Sequence, residues 1–364
     1  MASISIAHIK AGNRLGEDVL TPLGGVLFYK GTVITPRELE ILQAFLISSV
    51  TIDNVDEAIA MTESANEKSG LEKKPASESA KQDKPLTPFQ NEYDKMIGLL
   101  RNVFATQITA QGMPIMDIRK QLESLLSNID DYKVLTFIPS GFLERDYLLH
   151  SSVCCSLTSY LMGQWTGFPQ KELMQIALAG LLHDIGNIRI DKSILTNPNT
   201  LSVVEMEEMK RHTVYGYQLI KDNIAINEGV KLSALQHHEK IDGSGYPLGI
   251  DSSKIHPYAR IVAIADIFHA MTLNKAYRKK ISPYLVLDQL EAEGFGKLDP
   301  SYVRIFIEKT VQFSSGTIVK LNDDRVGEIV FTDKAHPTRP WVSVNGTIVN
   351  LSVERQFHIR EIIK

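Results

Sequence analysis

The spacing of apolar residues changes several times along the chain, and each change marks a part of it. Over residues 1–60, short strand-type runs dominate. GGVLFYKGTVI is rich in β-branched and aromatic residues, with Gly31 as a turn between two runs, and SVTID reads as a closing strand. Between them, Thr35-Pro36-Arg37-Glu38 has capping-box spacing with proline at the first helical position, and ELEILQAFL continues as a helix. A small α/β domain over 1–60 is expected. From 61 to 88 the pattern dissolves into TESANEKSGLEKKPASESAKQDKPLTP, too poor in apolar residues to bury a core, which predicts a flexible linker.

Residues 89–312 are helical by period. Leading helices over 89–129 are expected, because Phe89–Gln107 and Asp117–Asn128 place apolar residues three and four apart. PQKELMQIALAGLLHDIGN predicts a helix that starts at Pro169 and ends near Gly186. SVVEMEEMKRHTVYGYQLIK opens with Ser202 and Glu205 at capping-box spacing and reads as one helix. KLSALQHHE and YARIVAIADIFHAMT predict two more. Over 313–364, GTIVKL, GEIVFT and WVSV are β-type, with a hairpin expected at Asn345-Gly346. The fold class read from these patterns is multidomain: a main all-α domain, a small N-terminal α/β domain and a C-terminal β appendage.

Composition narrows the function. The chain has 364 residues, 43% of them hydrophobic, enough for more than one domain with a sizeable core. A net charge of -4 argues against DNA as a partner. No apolar run approaches the ~20 residues that span a bilayer, and the N-terminus lacks the apolar core of a signal peptide. No membrane association and a cytoplasmic location are expected. The two cysteines, Cys154 and Cys155, are adjacent and read as small buried hydrophobes rather than a disulfide framework.

Histidine is more informative, because seven of the ten lie between positions 150 and 269. Any one alone is weak evidence. Together they accompany carboxylates that have no reason to sit in apolar surroundings. His183 and Asp184 follow ALAGLL, and Asp266 lies within IVAIADIFHAM. A buried carboxylate without a partner costs several kcal/mol, and pairing or metal coordination is the usual remedy. His150, His212, His237 and His238 supply further imidazoles. Such donors suit Fe, Mn, Ni or Zn better than Mg or Ca. Their number exceeds the needs of one ion, and two ions about 3.5–4 Å apart suit phosphoester hydrolysis.

HDIGN at 183–187 followed by HHEKIDGSGYP at 237–247 resembles the HD-GYP family, bacterial phosphodiesterases that linearise cyclic di-GMP. The resemblance covers roughly residues 130–312 and implies an HD-type helical fold. It implies one ion, Fe or Mn, held by His150, His183, Asp184 and Asp266. A second would be held by Asp184, as the bridge, with His212, His237 and His238. Asp146 stands where some members carry a glutamate for a third ion. His183 and Asp184 would form the catalytic centre, where a metal-bridging hydroxide attacks cyclic di-GMP to give linear pGpG, with GMP as a further product. Tyr246, Lys275 and Asn187 would orient the substrate.

The chain also departs from the family pattern. Asn187 replaces a usual lysine, Lys275 replaces an arginine, and His269 follows Asp266 by three residues, on the same helix face and near the metals. These departures keep open two alternatives. One is a weakly active or inactive metal-loaded module that binds a cyclic dinucleotide. The other is a phosphodiesterase for a mixed cyclic GMP-AMP dinucleotide. Partners compatible with the reading are cyclic di-GMP, signalling proteins such as diguanylate cyclases, and a second copy of the chain in a homodimer.

Overall fold

The computed structural model describes residues 2–6, 9–10, 12–20, 26–35, 38–39, 42, 47, 49–53, 87–105, 113–139, 141–274, 280–312 and 314–363. The linker expected over 61–88 falls outside these up to residue 86, as does much of the helix expected after Thr35. The chain divides into two compact units, residues 1–85 with 345–348, and residues 86–344 with 349–364.

In the first unit, strands Ala2–Ser5 and Arg14–Leu15 flank Ser49–Asp53 in an antiparallel sheet. The SVTID run forms the expected strand and alternates in burial, Val50 and Ile52 joining a small core with Leu15, Ile34 and Leu42. Val19–Leu20 pairs with Val26–Phe28 in a separate two-stranded ribbon. One arm of the expected capping box is present, the Glu38 carboxylate accepting the Thr35 backbone N–H at 2.8 Å.

The second unit is built on helices. Pro88–Ala105 buries Phe89, Tyr93, Met96, Leu100 and Val103, the stripe its periodicity predicts. The most closely packed pair is Tyr147–Trp165 and Gln170–Leu182. The first of these is buried almost all round, with small Ser151, Ser152, Cys155, Ser156 and Ser159 among its buried residues. These let the second helix come close: the Ser156 hydroxyl donates to the Ala177 carbonyl at 2.7 Å. Opposite, Gly180 leaves no room for a Cβ, which would overlap the Cys155 carbonyl and the Ser159 hydroxyl. Helices Glu228–Gln236 and Pro257–Thr272 pack against this pair, and Pro283–Glu293 and Pro300–Val311 extend the unit.

The helix expected as one piece from Ser202 is two, Val203–Lys210 and His212–Ile220. At the break, the His212 ring donates to the Met209 carbonyl at 2.7 Å and the Thr213 hydroxyl to the Lys210 carbonyl at 3.0 Å. Side chains thus take up main-chain acceptors where a continuous helix would use backbone N–H groups. The Ser202–Glu205 capping box is complete.

A five-stranded sheet follows, in the order Ile359–Ile362, Ile318–Leu321, Val326–Phe331, Trp341–Val344, Thr347–Asn350. Asn345 and Gly346 both take positive φ, 49° and 79°, as a tight Asn-Gly hairpin requires. Val319, Leu321, Ile329 and Val342 share one continuous core with the helices. No helix among the described residues is long and apolar enough to cross a membrane.

Gly98 and Gly180 separate propensity from packing. Gly180→Ala should lower the unfolding free energy by about 1–3 kcal/mol through overpacking. Gly98→Ala, in the helix Pro88–Ala105 with nothing within 4 Å of the added carbon, should raise it by about 0.5–1 kcal/mol. Urea titration of both variants measures the two effects.

Candidate metal centre

Five segments converge on one point. The helix Gln170–Leu182 ends in His183 and Asp184, and the chain turns at once into the short 3-10 segment Ile185–Arg189. Gly186 in that turn lies against the start of the helix His212–Ile220, where a Cβ would overlap the His212 carbonyl oxygen. The glycine of HDIGN is therefore what allows His212 to stand beside Asp184. The helix Glu228–Gln236 delivers His237 and His238 at its C-terminal end. Pro257–Thr272 carries Asp266, and Tyr147–Trp165 closes the back.

Three of the imidazoles are oriented by the same device. His183 Nδ1 lies 2.8 Å from the Gly180 carbonyl, His212 Nδ1 2.7 Å from the Met209 carbonyl and His237 Nδ1 3.0 Å from the Ser233 carbonyl. A carbonyl only accepts, so each Nδ1 carries the proton and each Nε2 presents a lone pair inward when the ring is neutral. His212 Nε2 and His237 Nε2 are 3.3 Å apart. Asp184 Oδ1 is 3.3 Å from the first and 3.7 Å from the second. Lone pairs facing one another at this range need a proton or a metal ion among them. The spacing fits the latter: ligands about 2.0–2.2 Å from an ion lie ~3.0–3.5 Å from each other.

His238 completes this group. Asp184, His212, His237 and His238 each offer a donor atom, all within 4.8 Å of one another. A second group, Cys155, His183 and Asp266, meets the same limit. Asp184 joins the two, because its other oxygen, Oδ2, is 3.6 Å from His183 Nε2, which lies 3.5 Å from Asp266 Oδ1. His183 is fully buried and its Nε2 has no hydrogen-bond partner. The donor set thus fits a transition-metal centre.

The charges respond to this crowding. Burial opposes a proton on His183, but Asp184 and Asp266 outweigh it and push the ring up to about 9. Burial would also raise the Asp184 carboxyl, yet His183, His237 and His212 hold it well below the usual carboxylate range. Asp266 is held down in the same way, by His183 and His238 against burial. Burial dominates at His212 and His238, whose rings are lowered. Such opposed shifts in a tight cluster are typical of functional centres.

Of the expected ligands, the structure brings together His183, Asp184, His212, His237, His238 and Asp266. It does not bring His150 or Asp146 there. His150 is buried on another face of its helix, with Nδ1 3.0 Å from the Tyr93 hydroxyl and its ring against Phe142. Asp146 pairs with Arg101 at 3.1 Å. The site-facing row of that helix is Tyr147, Ser151 and Cys155, spaced four apart, one face of a helix of 3.6 residues per turn. Ser151 is hydrogen-bonded to both Tyr147 and Cys155, and the charges of Asp266 and Asp184 add to burial in raising both hydroxyl and thiol. His269, expected near the metals, is a satisfied core residue: its Nε2 is 2.7 Å from the Thr158 hydroxyl, and burial lowers the ring to about 3.

Asn187 is buried in the 3-10 turn, and Lys275 lies outside the described residues. Tyr246 stacks on His238, ring centroids 4.7 Å apart, with the Lys210 ammonium 5.8 Å from its ring. Sequence reasoning missed Lys210 and Glu239. The buried Glu239 carboxylate accepts the backbone N–H groups of Leu248 at 2.7 Å and Ile250 at 3.2 Å, closing the loop that carries Tyr246. Gly245 is required there, since a Cβ would overlap the Glu239 backbone. A buried acid beside a histidine pair and ahead of a glycine loop was the available signal.

A family model described as HD domain matches residues 144–302. Over 182 residues the chain is 32% identical to the cyclic di-GMP phosphodiesterase PA4108 of Pseudomonas aeruginosa, covering 50% of this chain and 44% of that protein. It is 37% identical over 175 residues to the cyclic di-GMP phosphodiesterase response regulator RpfG of Xanthomonas campestris, covering 48% and 44%. It is 32% identical over 229 residues to the 3'3'-cGAMP-specific phosphodiesterase 2 of Vibrio cholerae, covering 62% and 42%. The chain thus spans less than half the length of each of these three relatives. The motif pair HDIGN and HHEKIDGSGYP thus lies around one cluster, within the residues that match the HD domain model.

Proposed function

We propose that the chain is a metal-dependent phosphodiesterase that hydrolyses cyclic di-GMP to linear pGpG, with GMP as a further product. The observation that carries this reading is the inward-facing pair of histidine nitrogens, 3.3 Å apart beside Asp184. Asp184, His212, His237 and His238 would hold one ion, and Asp184, His183 and Asp266 a second, Fe or Mn being the ions the family resemblance implies. Bound ions would supply Lewis acidity toward a phosphoryl oxygen and activation of water. His150 and Asp146 take no part in this version, so a third ion is not proposed.

The remaining work falls to the protein. Tyr246 offers a flat face beside His238 and a hydroxyl kept protonated by burial and the nearby carboxylates, ready to donate to a phosphate oxygen. Lys210 adds positive charge at the same wall. Glu239 holds the loop in shape before substrate arrives, which limits the ordering cost of binding. Asn187 and Lys275 are further candidates for phosphate contact. Similarity to proteins named for cGAMP favours testing the mixed cyclic GMP-AMP dinucleotide as a second substrate. The absence of His150 from the ligand cluster is what favours the weakly active alternative.

Purified protein reconstituted with Mn or Fe(II) should convert cyclic di-GMP to pGpG. Binding without product over hours would overturn the enzyme reading, and faster turnover of the mixed dinucleotide would change the substrate. Asp184→Ala removes the bridge and should lower kcat by at least about a thousandfold, on the order of 4 kcal/mol of barrier, with reduced metal content by elemental analysis.

Tyr246→Phe should reduce kcat/KM about 10–100-fold, the size of one hydrogen bond to a charged group, while leaving bound metal unchanged. A chelator should lower the thermal midpoint of the wild type much more than that of Asp184→Ala, because ions that bind only the folded state stabilise it.

A further inference from the structure

The second half of the centre contains a sulfur atom. Cys155 Sγ, a His183 nitrogen and an Asp266 oxygen lie within 4.8 Å of one another, and all three residues are buried or nearly so. Their closeness follows from the packing of two helices. Gly180 touches the Cys155 backbone so tightly that a Cβ would overlap it, and His183 lies one turn on, its ring hydrogen-bonded to the Gly180 carbonyl at 2.8 Å. The sulfur and the imidazole therefore share one corner.

His183 Nε2 is fully buried with no hydrogen-bond partner. It faces Asp266 Oδ1 at 3.5 Å and Asp184 Oδ2 at 3.6 Å. The helix Tyr147–Trp165 contributes no imidazole here, since its only histidine, His150, is held by Tyr93.

We propose that Cys155 is a metal ligand, so that this half of the centre is a Cys155, His183, Asp266 and Asp184 site for a borderline divalent ion such as Zn(II), Fe(II) or Co(II). The inference rests on the metal-dependent reading given above and deepens it. Thiolate donors select such ions over the harder Mn(II) and Mg(II). On binding, the thiol loses its proton to solvent and the sulfur lone pair forms the bond to the ion, with no change of oxidation state. Ser151, hydrogen-bonded to Cys155, can donate to the thiolate. The other half, with three imidazoles and the shared carboxylate, contains no sulfur, so the two ions would sit in unlike surroundings. Cys154, although adjacent, points elsewhere, its sulfur 3.6 Å from the Tyr93 hydroxyl.

Cobalt(II) is the probe. The full chain, stripped with chelator and reloaded with cobalt, should show a near-ultraviolet thiolate-to-cobalt charge-transfer band. X-ray absorption at the cobalt edge should find one sulfur neighbour at about 2.3 Å. Cys155→Ser should lose the band and bind about one ion per chain in place of about two, while Cys154→Ser keeps both.

Cobalt bound by the wild type with only nitrogen and oxygen neighbours would overturn the proposal, whatever the variants do. That measurement needs no variant and so does not depend on Cys155→Ser folding. Cyclic di-GMP hydrolysis is followed in parallel, on the same protein preparation reloaded with Fe(II). A sulfur ligand without hydrolysis removes the enzyme reading and leaves this one. Hydrolysis without a sulfur ligand does the reverse.

Discussion

Two imidazole nitrogens and a carboxylate oxygen face one another at 3.3–3.7 Å, and the second unit is arranged to hold them there. Alone, such a gathering of lone pairs would push the helices apart. Backbone carbonyls of Gly180, Met209 and Ser233 prevent the rings from turning away, and the contact between Gly186 and the His212 backbone prevents the two segments from separating. The repulsion that remains is relieved by protons, as the raised His183 shows, or by metal ions. Stability and function are thus joined at one point. The groups that would most weaken the apoprotein are those that give a bound ion its affinity.

Much of this was legible in the sequence because it rested on local chemistry. Asp266 between apolar neighbours, and His183-Asp184 at the end of an apolar run, each demanded a partner. The HDIGN and HHEKIDGSGYP segments showed where the partners lay. Capping at Ser202 and the Asn345-Gly346 turn could be read for the same reason, since neighbouring residues decide them. The break at Arg211 could not, because it depends on side chains choosing backbone acceptors only once His212 is drawn toward Asp184.

His150 illustrates what a linear reading lacks. It stands in an apolar helix one residue from the site-facing row, and on a helix a shift of one residue is a turn of about 100°. Which face meets the cluster is decided by packing with the helix Pro88–Ala105, whose Tyr93 engages the histidine, and by Gly180 pressing against Cys155 from the other side. Neither contact has a signature in the local sequence. Cys155 was read as a small hydrophobe for the same reason: nothing in the run VCCSL reveals that a histidine nitrogen and a carboxylate lie beside it.

The Glu239 staple links two structures that are easily treated as separate. Glu239 directly follows His238, and its carboxylate grips the far side of the loop at Leu248 and Ile250. Because Tyr246 also rests on the His238 ring, the loop wall and an imidazole of the cluster form one mechanical piece. A loop substitution that moved the wall would drag that imidazole with it. Substitutions at the exposed Ser244 and Leu248 side chains leave the staple's backbone donors in place, so the loop can change its surface without loosening its grip on the centre.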